Sequence, residues 1–347
     1  MKYLLLILLF LNSSIALSSA YVGSSVATFK TKDYKSKFET GLVVPKDFED
    51  CVLRKKSCKV ELRAEPKLYE GELPKKFDWR DKYTLPPIRT QRCGSCWAYA
   101  MTGVLESVLR IKGISTEDLS EQFLVGHDFE ASGCMGGWMN FHMFKGNSRY
   151  PGGTMLEWDC PYVGKTRKCS KYSPEILKHK IHSWGYVDQS NAIPSTEKLK
   201  KYIYSYGPTS VAVSASGGFS RYSSGIFNEG GLSRINHAVI LLGWDDTVSP
   251  GHWIMRNSWG SSWGEGGYMR LAYGSKKIGY GATYLSYDGK PFDHDDIDPG
   301  PGPDPQPDPE PTPPVPLPEN FLWYILAIAI GIIGIIGACI GINKFKK

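Results

Sequence analysis

Trp97, Met101, Val104, Leu105, Val108 and Ile111 recur at intervals of three and four, the period of an apolar helix face, and Gly113 after Lys112 is a stop signal. This spacing predicts a buried helix of about five turns with Cys96 in its first turn. Downstream the period changes. Alternating or apolar runs at 209–215, 238–244 and 267–273 read as strands, and a further short strand is expected at 252–255. The pattern therefore predicts an α+β chain whose first half is mainly helical and whose second half forms a β-barrel-like sheet.

The ends have different patterns. Residues 1–20 carry one early lysine, an apolar run and a small-residue finish, which reads as a secretory signal peptide. Residues 321–342 form an uncharged apolar run of 22, and Asn343-Lys344-Phe345-Lys346-Lys347 follows as a short basic tail. That length predicts a transmembrane helix in type I orientation. Gly337 and Gly341 make a GxxxG spacing there, a weak signal for a helix-mediated dimer. Before it, residues 291–320 are rich in Pro and Asp, with eleven prolines in the twenty positions 299–318, a composition for an extended stalk rather than a core.

The formal net charge is +6, with acidic and basic residues interspersed between leader and stalk, so neither nucleic acid nor a strongly acidic partner is implied. Of eight cysteines, Cys339 lies in the apolar run, which leaves seven exported ones, Cys51, Cys58, Cys93, Cys96, Cys134, Cys160 and Cys169. An odd number in an oxidising compartment leaves at least one thiol unpaired. The Cys93-Gly94-Ser95-Cys96 spacing could be a redox pair or half of a metal site. No second C-x-x-C or finger-spaced histidine pair supports zinc, and Leu85-Pro86-Pro87-Ile88-Arg89 is a poor strand for a thioredoxin-like motif. No metal or other cofactor is expected.

A cysteine at a helix start is half prepared as a nucleophile, because exposed amides there favour the thiolate. It still needs a base. Of the seven histidines, His237 heads an apolar strand after a turn-rich stretch, and Asn257 ends the next strand, where its carbonyl could fix an imidazole tautomer.

These segments resemble the papain family of cysteine peptidases, the cathepsins among them. The resemblance rests on Gln91 with Cys93-Gly94-Ser95-Cys96-Trp97-Ala98, Leu119-Ser120-Glu121-Gln122, Gly133-Cys134-Met135-Gly136-Gly137, Asn236-His237-Ala238-Val239 and Asn257-Ser258-Trp259-Gly260 with Trp263-Gly264, in family order. It implies a papain-like two-domain fold, with a peptidase domain over 73–290 and an active-site cleft between the helical and β-barrel-like halves, Cys96 on one wall and His237 on the other. In it Cys96 is the nucleophile, His237 the general base and acid, Asn257 its orienting partner, and Gln91 with the Cys96 amide the oxyanion site. Gly136 and Gly137 would be the bare edge for a substrate strand, with Asn236, Trp259 and Trp263 nearby. Trp138, Ala212 and Leu285 would line an apolar selectivity pocket. Cys93 would be bridged to Cys134, and residues 21–72 would be a short propeptide acting as inhibitor over the cleft. The implied protein is an endopeptidase at the cell surface or in an endosomal or lysosomal compartment, its partners polypeptide substrates. Alternatives are an inactive peptide-binding protein or a transpeptidase on the same scaffold.

The chain departs from the family pattern in several places. Gln91 lies five residues before Cys96, where six is usual. His127 stands where the family has the cysteine of LVDC, which would orphan Cys169 unless it pairs locally with Cys160. Cys51 and Cys58 fall inside the propeptide, where they could bridge each other or one could cap Cys96.

Overall fold

The computed structural model describes residues 29–34, 37–46, 48, 66–231 and 234–294. The predicted leader, Cys51 and Cys58, nearly all of the stalk and the apolar run 321–342 lie outside them. Among the described residues no helix is long and apolar enough to cross a membrane.

In chain order the elements are β1 (Phe29–Thr31), β2 (Lys76–Asp78), α1 (Cys96–Ile111), α2 (Glu121–His127), α3 (His142–Lys145), β3 (Ser183–Tyr186), α4 (Thr196–Tyr206), β4 (Thr209–Val213), β5 (Tyr222–Phe227), β6 (His237–Asp245), β7 (His252–Arg256), β8 (Tyr268–Ala272) and β9 (Tyr280–Ser286). Helix α1 has 16 residues and only Arg110 escapes burial, so it is an interior helix rather than an amphipathic surface one. Its N-cap, Ser95, makes no side-chain cap bond and instead pairs through Oγ with Tyr162 Oη at 2.7 Å. The amides of Cys96 and Trp97 are thereby left for the sulfur of Cys96. The helix ends as expected, with Gly113 at φ +66° just past it.

The sheet runs β1-β5-β8-β7-β6-β4-β9-β3, with β2 also paired to β6. Neighbours are antiparallel except β5 and β8. Strand β6 is its centre, buried along all nine residues, which fits an apolar run flanked on both faces. Pairing of β4 with β6 puts Val213 opposite His237 and Ala212 opposite Ala238, which fixes His237 at the strand mouth. Helix α4, not foreseen in the sequence, is capped by Ser195 Oγ, which accepts from the Lys198 amide at 3.2 Å. It lays Leu199, Tyr202, Ile203 and Tyr206 into the core on the sheet side.

Two disulfides close the helical half, Cys93–Cys134 and Cys160–Cys169, leaving Cys96 as the free cysteine of the described residues. From sequence separations of 41 and 9, loop closure contributes roughly 4 and 3 kcal/mol in the chain-entropy model. His127 occupies the place of the absent family cysteine in a different way. Its Nε2 accepts the Cys169 amide at 2.9 Å, and its ring lies against Phe123 and Tyr172 at centroid distances of 5.3 and 4.6 Å. Burial, aided by the Lys168 charge, holds the imidazole pKa down, so that the accepting nitrogen keeps its lone pair.

Candidate active site

Cys96 and His237 open α1 and β6, the innermost helix and strand, and both are fully buried. The Cys96 sulfur is met by the backbone N–H groups of Ala238, Gly41, Trp97 and Cys96 itself. Ala238 follows His237, so helix start and strand mouth converge at the sulfur.

The imidazole tautomer follows from hydrogen bonds. Asn257 Oδ1 accepts the Ser258 amide at 2.8 Å, which identifies it as the oxygen end of the side chain. His237 Nε2 lies 2.8 Å from the same oxygen and must donate to it. The neutral ring then has its lone pair on Nδ1, which is buried and has no hydrogen-bond partner. Trp259 stacks on the imidazole at 4.6 Å and keeps water from that face.

Burial pushes the Cys96 thiol up to about 11, against the four amides that favour its anion. Burial likewise pushes His237 down to about 4, against the Asn257 hydrogen bond. In this covered state burial favours the neutral form of each group rather than the ion pair a working site needs.

Residues 38–43 provide the cover. Gly41 O accepts the Gly137 amide at 3.0 Å and Val43 N–H donates to Gly137 O at 2.9 Å, a parallel bridge centred on Leu42. Leu42 N–H also donates to Asn236 O at 3.0 Å, so the segment is bonded to both walls. The bare edge is sterically required here. A Cβ on Gly136, at φ +130°, would come within 2.6 Å of Gly41 O, and one on Gly137 within 2.6 Å of the Trp97 ring. Upstream, Phe38 stacks on Trp259 at 4.7 Å and β1 adds to the sheet beside β5.

Gln91 is tied at both ends despite its shortened spacing. Ser258 Oγ donates to its Oε1 at 2.6 Å, and its Nε2 donates to Cys93 O at 2.9 Å and Glu39 O at 3.1 Å. Trp259 Nε1 donates to the same Glu39 oxygen at 2.9 Å. Trp263 is fully buried edge-on to Trp259, its indole N–H donating to Ser220 O at 3.2 Å. Trp138, Ala212 and Leu285 are buried in one cluster with Leu42.

The sequence reading gave Ser258 no role, although its place beside Asn257 was a signal. It also missed a charged cluster under the site. Arg89 Nη2 lies 3.0 Å from Glu106 Oε1 and Arg89 Nε 3.8 Å from Glu121, while Arg256 donates to Pro87 O at 2.7 Å. Arg89 and Arg256 are close in sequence to Gln91 and Asn257, and Glu106 belongs to α1, so the cluster joins three segments that carry the site. Burial holds Glu121 up at about 8 even with Arg89 opposing it. The signal was Glu106, a carboxylate within an otherwise inward-facing helix. No cluster of metal-ligating side chains occurs among the described residues.

A buried free thiol at a helix start and an imidazole tied to an amide side chain, set between a helical half and a sheet, define a site of the thiol peptidase class. The chain belongs to the papain family of cysteine proteases, whose family model matches residues 73–287. It is 38% identical over 200 residues to a viral cathepsin of Heliothis zea nuclear polyhedrosis virus, covering 57% of this chain and 52% of that protein. With human cathepsin O it shares 32% over 247 residues, covering 68% of this chain and 73% of the relative. The chain thus spans between half and three quarters of the length of these relatives. Among solved structures it is similar to digestive procathepsin L2 proteinase from Tenebrio molitor larval midgut, with a TM-score of 0.63 and 26% identity, covering 80% of this chain and 89% of that one.

Proposed function

We propose that this chain is a precursor of a cysteine endopeptidase tethered to a membrane through residues 321–342, with a propeptide over 21–72, the peptidase over 73–290 and a stalk over 291–320. The observation that carries this reading is the Asn257-anchored His237, with Nδ1 unpartnered, directly before Ala238, whose amide meets the Cys96 sulfur beneath a strand of the chain itself. The apolar run outside the described residues supports the tether by its length.

The proposed chemistry begins when the covering strand leaves and water enters. The thiol pKa falls and the imidazole pKa rises, and the Sγ proton passes to His237 Nδ1. The thiolate attacks the peptide carbonyl of a substrate lying along Gly136 and Gly137. The developing oxyanion takes the hydrogen bond that Gln91 Nε2 now gives to Glu39 O, together with the Cys96 amide. His237 returns its proton to the departing amine, and water then hydrolyses the thioester. The covering strand runs parallel to Gly137, so placing a carbonyl oxygen at Gln91 does not amount to productive substrate binding.

The test uses the processed ectodomain and a peptide blocked at both ends. Cleavage at an interior bond, with an apolar residue two positions before it, is the expected result. Release of terminal fragments only would overturn the endopeptidase reading, and transfer to an added amine in preference to water would favour a transpeptidase. Peptide binding without any cleavage would favour an inactive binding protein.

A further inference from the structure

The stretch that carries Gly136 and Gly137 is fastened at its base by a histidine. His142 opens α3 and Asp128 directly follows α2, so a bond between them closes residues 128–142 into a loop that contains Cys134 and the bare edge. His142 Nε2 lies 3.1 Å from Asp128 Oδ1, and its Nδ1 lies 2.5 Å from Asn140 Oδ1. The pair is shielded from water, with 11% of the His142 side chain and 1% of the Asp128 side chain exposed. Asp128 Oδ1 also accepts the Glu130 amide at 2.9 Å.

The hydrogen bonds fix the protonation of the ring. Asn140 Nδ2 donates to Glu130 Oε2 at 2.9 Å, so the atom turned to His142 is the amide oxygen, which can only accept. Nδ1 must donate to it, and Nε2 faces a carboxylate that also accepts. Both ring nitrogens are donors only in the imidazolium. Burial opposes the charge, but the hydrogen bond and charge of Asp128, followed by the charge of Glu130, hold the His142 pKa above the ordinary histidine range. The other titratable groups nearby are Lys145 at the end of α3, Arg149 over the Phe129 ring at 5.1 Å, and Tyr150 stacked on the same ring at 5.3 Å. Phe129 itself meets the His142 ring edge-on at 5.6 Å.

Loss of one proton leaves the clasp mismatched. Whichever nitrogen gives it up then sets a lone pair against an oxygen lone pair, that of Asp128 or that of Asn140, and turning the Asn140 amide over only moves the mismatch to Glu130 Oε2. The sign follows from the raised pKa: the clasp contributes fully below the ordinary histidine range and is lost as pH rises through the raised value. The edge depends on it from one flank. Upstream, the Cys93–Cys134 disulfide and the Trp97 indole, which donates to Gly133 O at 3.3 Å, hold the loop to α1. Downstream, the Asn140 amide donates to Trp138 O at 3.0 Å, and the Asn140 side chain ties this returning arm to Glu130 and His142.

We propose that His142 is a positioning residue for substrate binding: as an imidazolium held between Asp128 and Asn140 it closes residues 128–142 and keeps Gly136 and Gly137 in place for a substrate strand, and the hold is released when the ring loses its proton. This rests on the peptidase reading above. His142 touches no reacting atom, so its effect falls on the binding of substrate rather than on the chemical step.

The experiment has an arm that needs no catalysis. Hydrogen exchange of the full chain is followed at about pH 5 and about pH 8, on either side of the histidine range, with each rate divided by its intrinsic value. Protection of 128–135 and 138–141, which flank the edge bonded by the covering strand, is expected to fall about tenfold or more between the two, the worth of one charge-assisted hydrogen bond. His142→Gln should show the lower protection at both. In the processed protein, with a peptide blocked at both ends, the KM of His142→Gln should exceed that of wild type severalfold at the lower pH and equal it at the higher, while the kcat values stay alike. Wild type carries a reading that does not depend on a substituted chain folding: by NMR of the full chain, the His142 ring should titrate above free histidine. A midpoint at or below that of free histidine, equal wild-type protection at both pH values, or a variant whose protection and KM follow pH as wild type does would overturn the proposal. Absence of all cleavage with the pH-dependent protection intact would instead sink the peptidase reading alone.

Discussion

Cys96→Ala is expected to lower kcat/KM of the processed peptidase domain by about 10⁴-fold or more, because no covalent intermediate can form without the sulfur. The fold should hardly respond. Cys96 takes part in neither disulfide, and its replacement removes one atom from a site packed by Trp97, Ala98 and Ala238. Unchanged melting alongside lost turnover is the expected pair of results, measured by calorimetry and by hydrolysis of the blocked peptide. A variant that retained a tenth of the activity would exclude Cys96 as nucleophile. A loss of activity matched by a large fall in melting temperature would mean the residue was structural.

The second large effect concerns the precursor. With the thiol held up at about 11 and the imidazole down at about 4, both groups are neutral across the whole interval between those values. The sign is the same for both: a raised thiol stays protonated below 11, and a lowered histidine stays deprotonated above 4. At pH 7 the thiolate fraction from the sulfur alone is on the order of 10⁻⁴. Removal of the covering segment restores water and lets proton transfer occur within the pair. Alkylation of Cys96 by iodoacetamide at pH 7 should therefore be at least about 10²-fold faster in the processed protein than in the precursor. In the precursor it should climb steadily with pH towards 11, and in the processed form it should already be fast near neutrality. Equal rates in the two forms would show that the cover does not suppress the ion pair.

Much of the site could be read from the chain because its parts sit at the starts and ends of strongly patterned elements. The three-and-four spacing after Cys96 marks α1, and the apolar run after His237 marks β6, so helix start and strand mouth were both placed correctly. The misses have physical causes. The stretch Thr196–Tyr206 carries three lysines and three tyrosines, so its narrow apolar stripe gave little helix signal, and it exists because the sheet accepts Leu199, Tyr202, Ile203 and Tyr206. The orientation of Gln91 depends on Ser258, which is 167 residues away, a pairing no local pattern encodes. His127 could be noticed as a missing cysteine, but its service as acceptor for the Cys169 amide depends on how the Cys160–Cys169 loop returns.

The most direct measurement is acid trapping of the reaction in its first turnovers, followed by intact-mass analysis and peptide mapping of the processed peptidase domain. The expected product is the acyl half of the substrate attached through a thioester to Cys96, formed before free amine and acid reach their steady ratio. Turnover with no adduct on Cys96, or an adduct on any other residue, would contradict the mechanism.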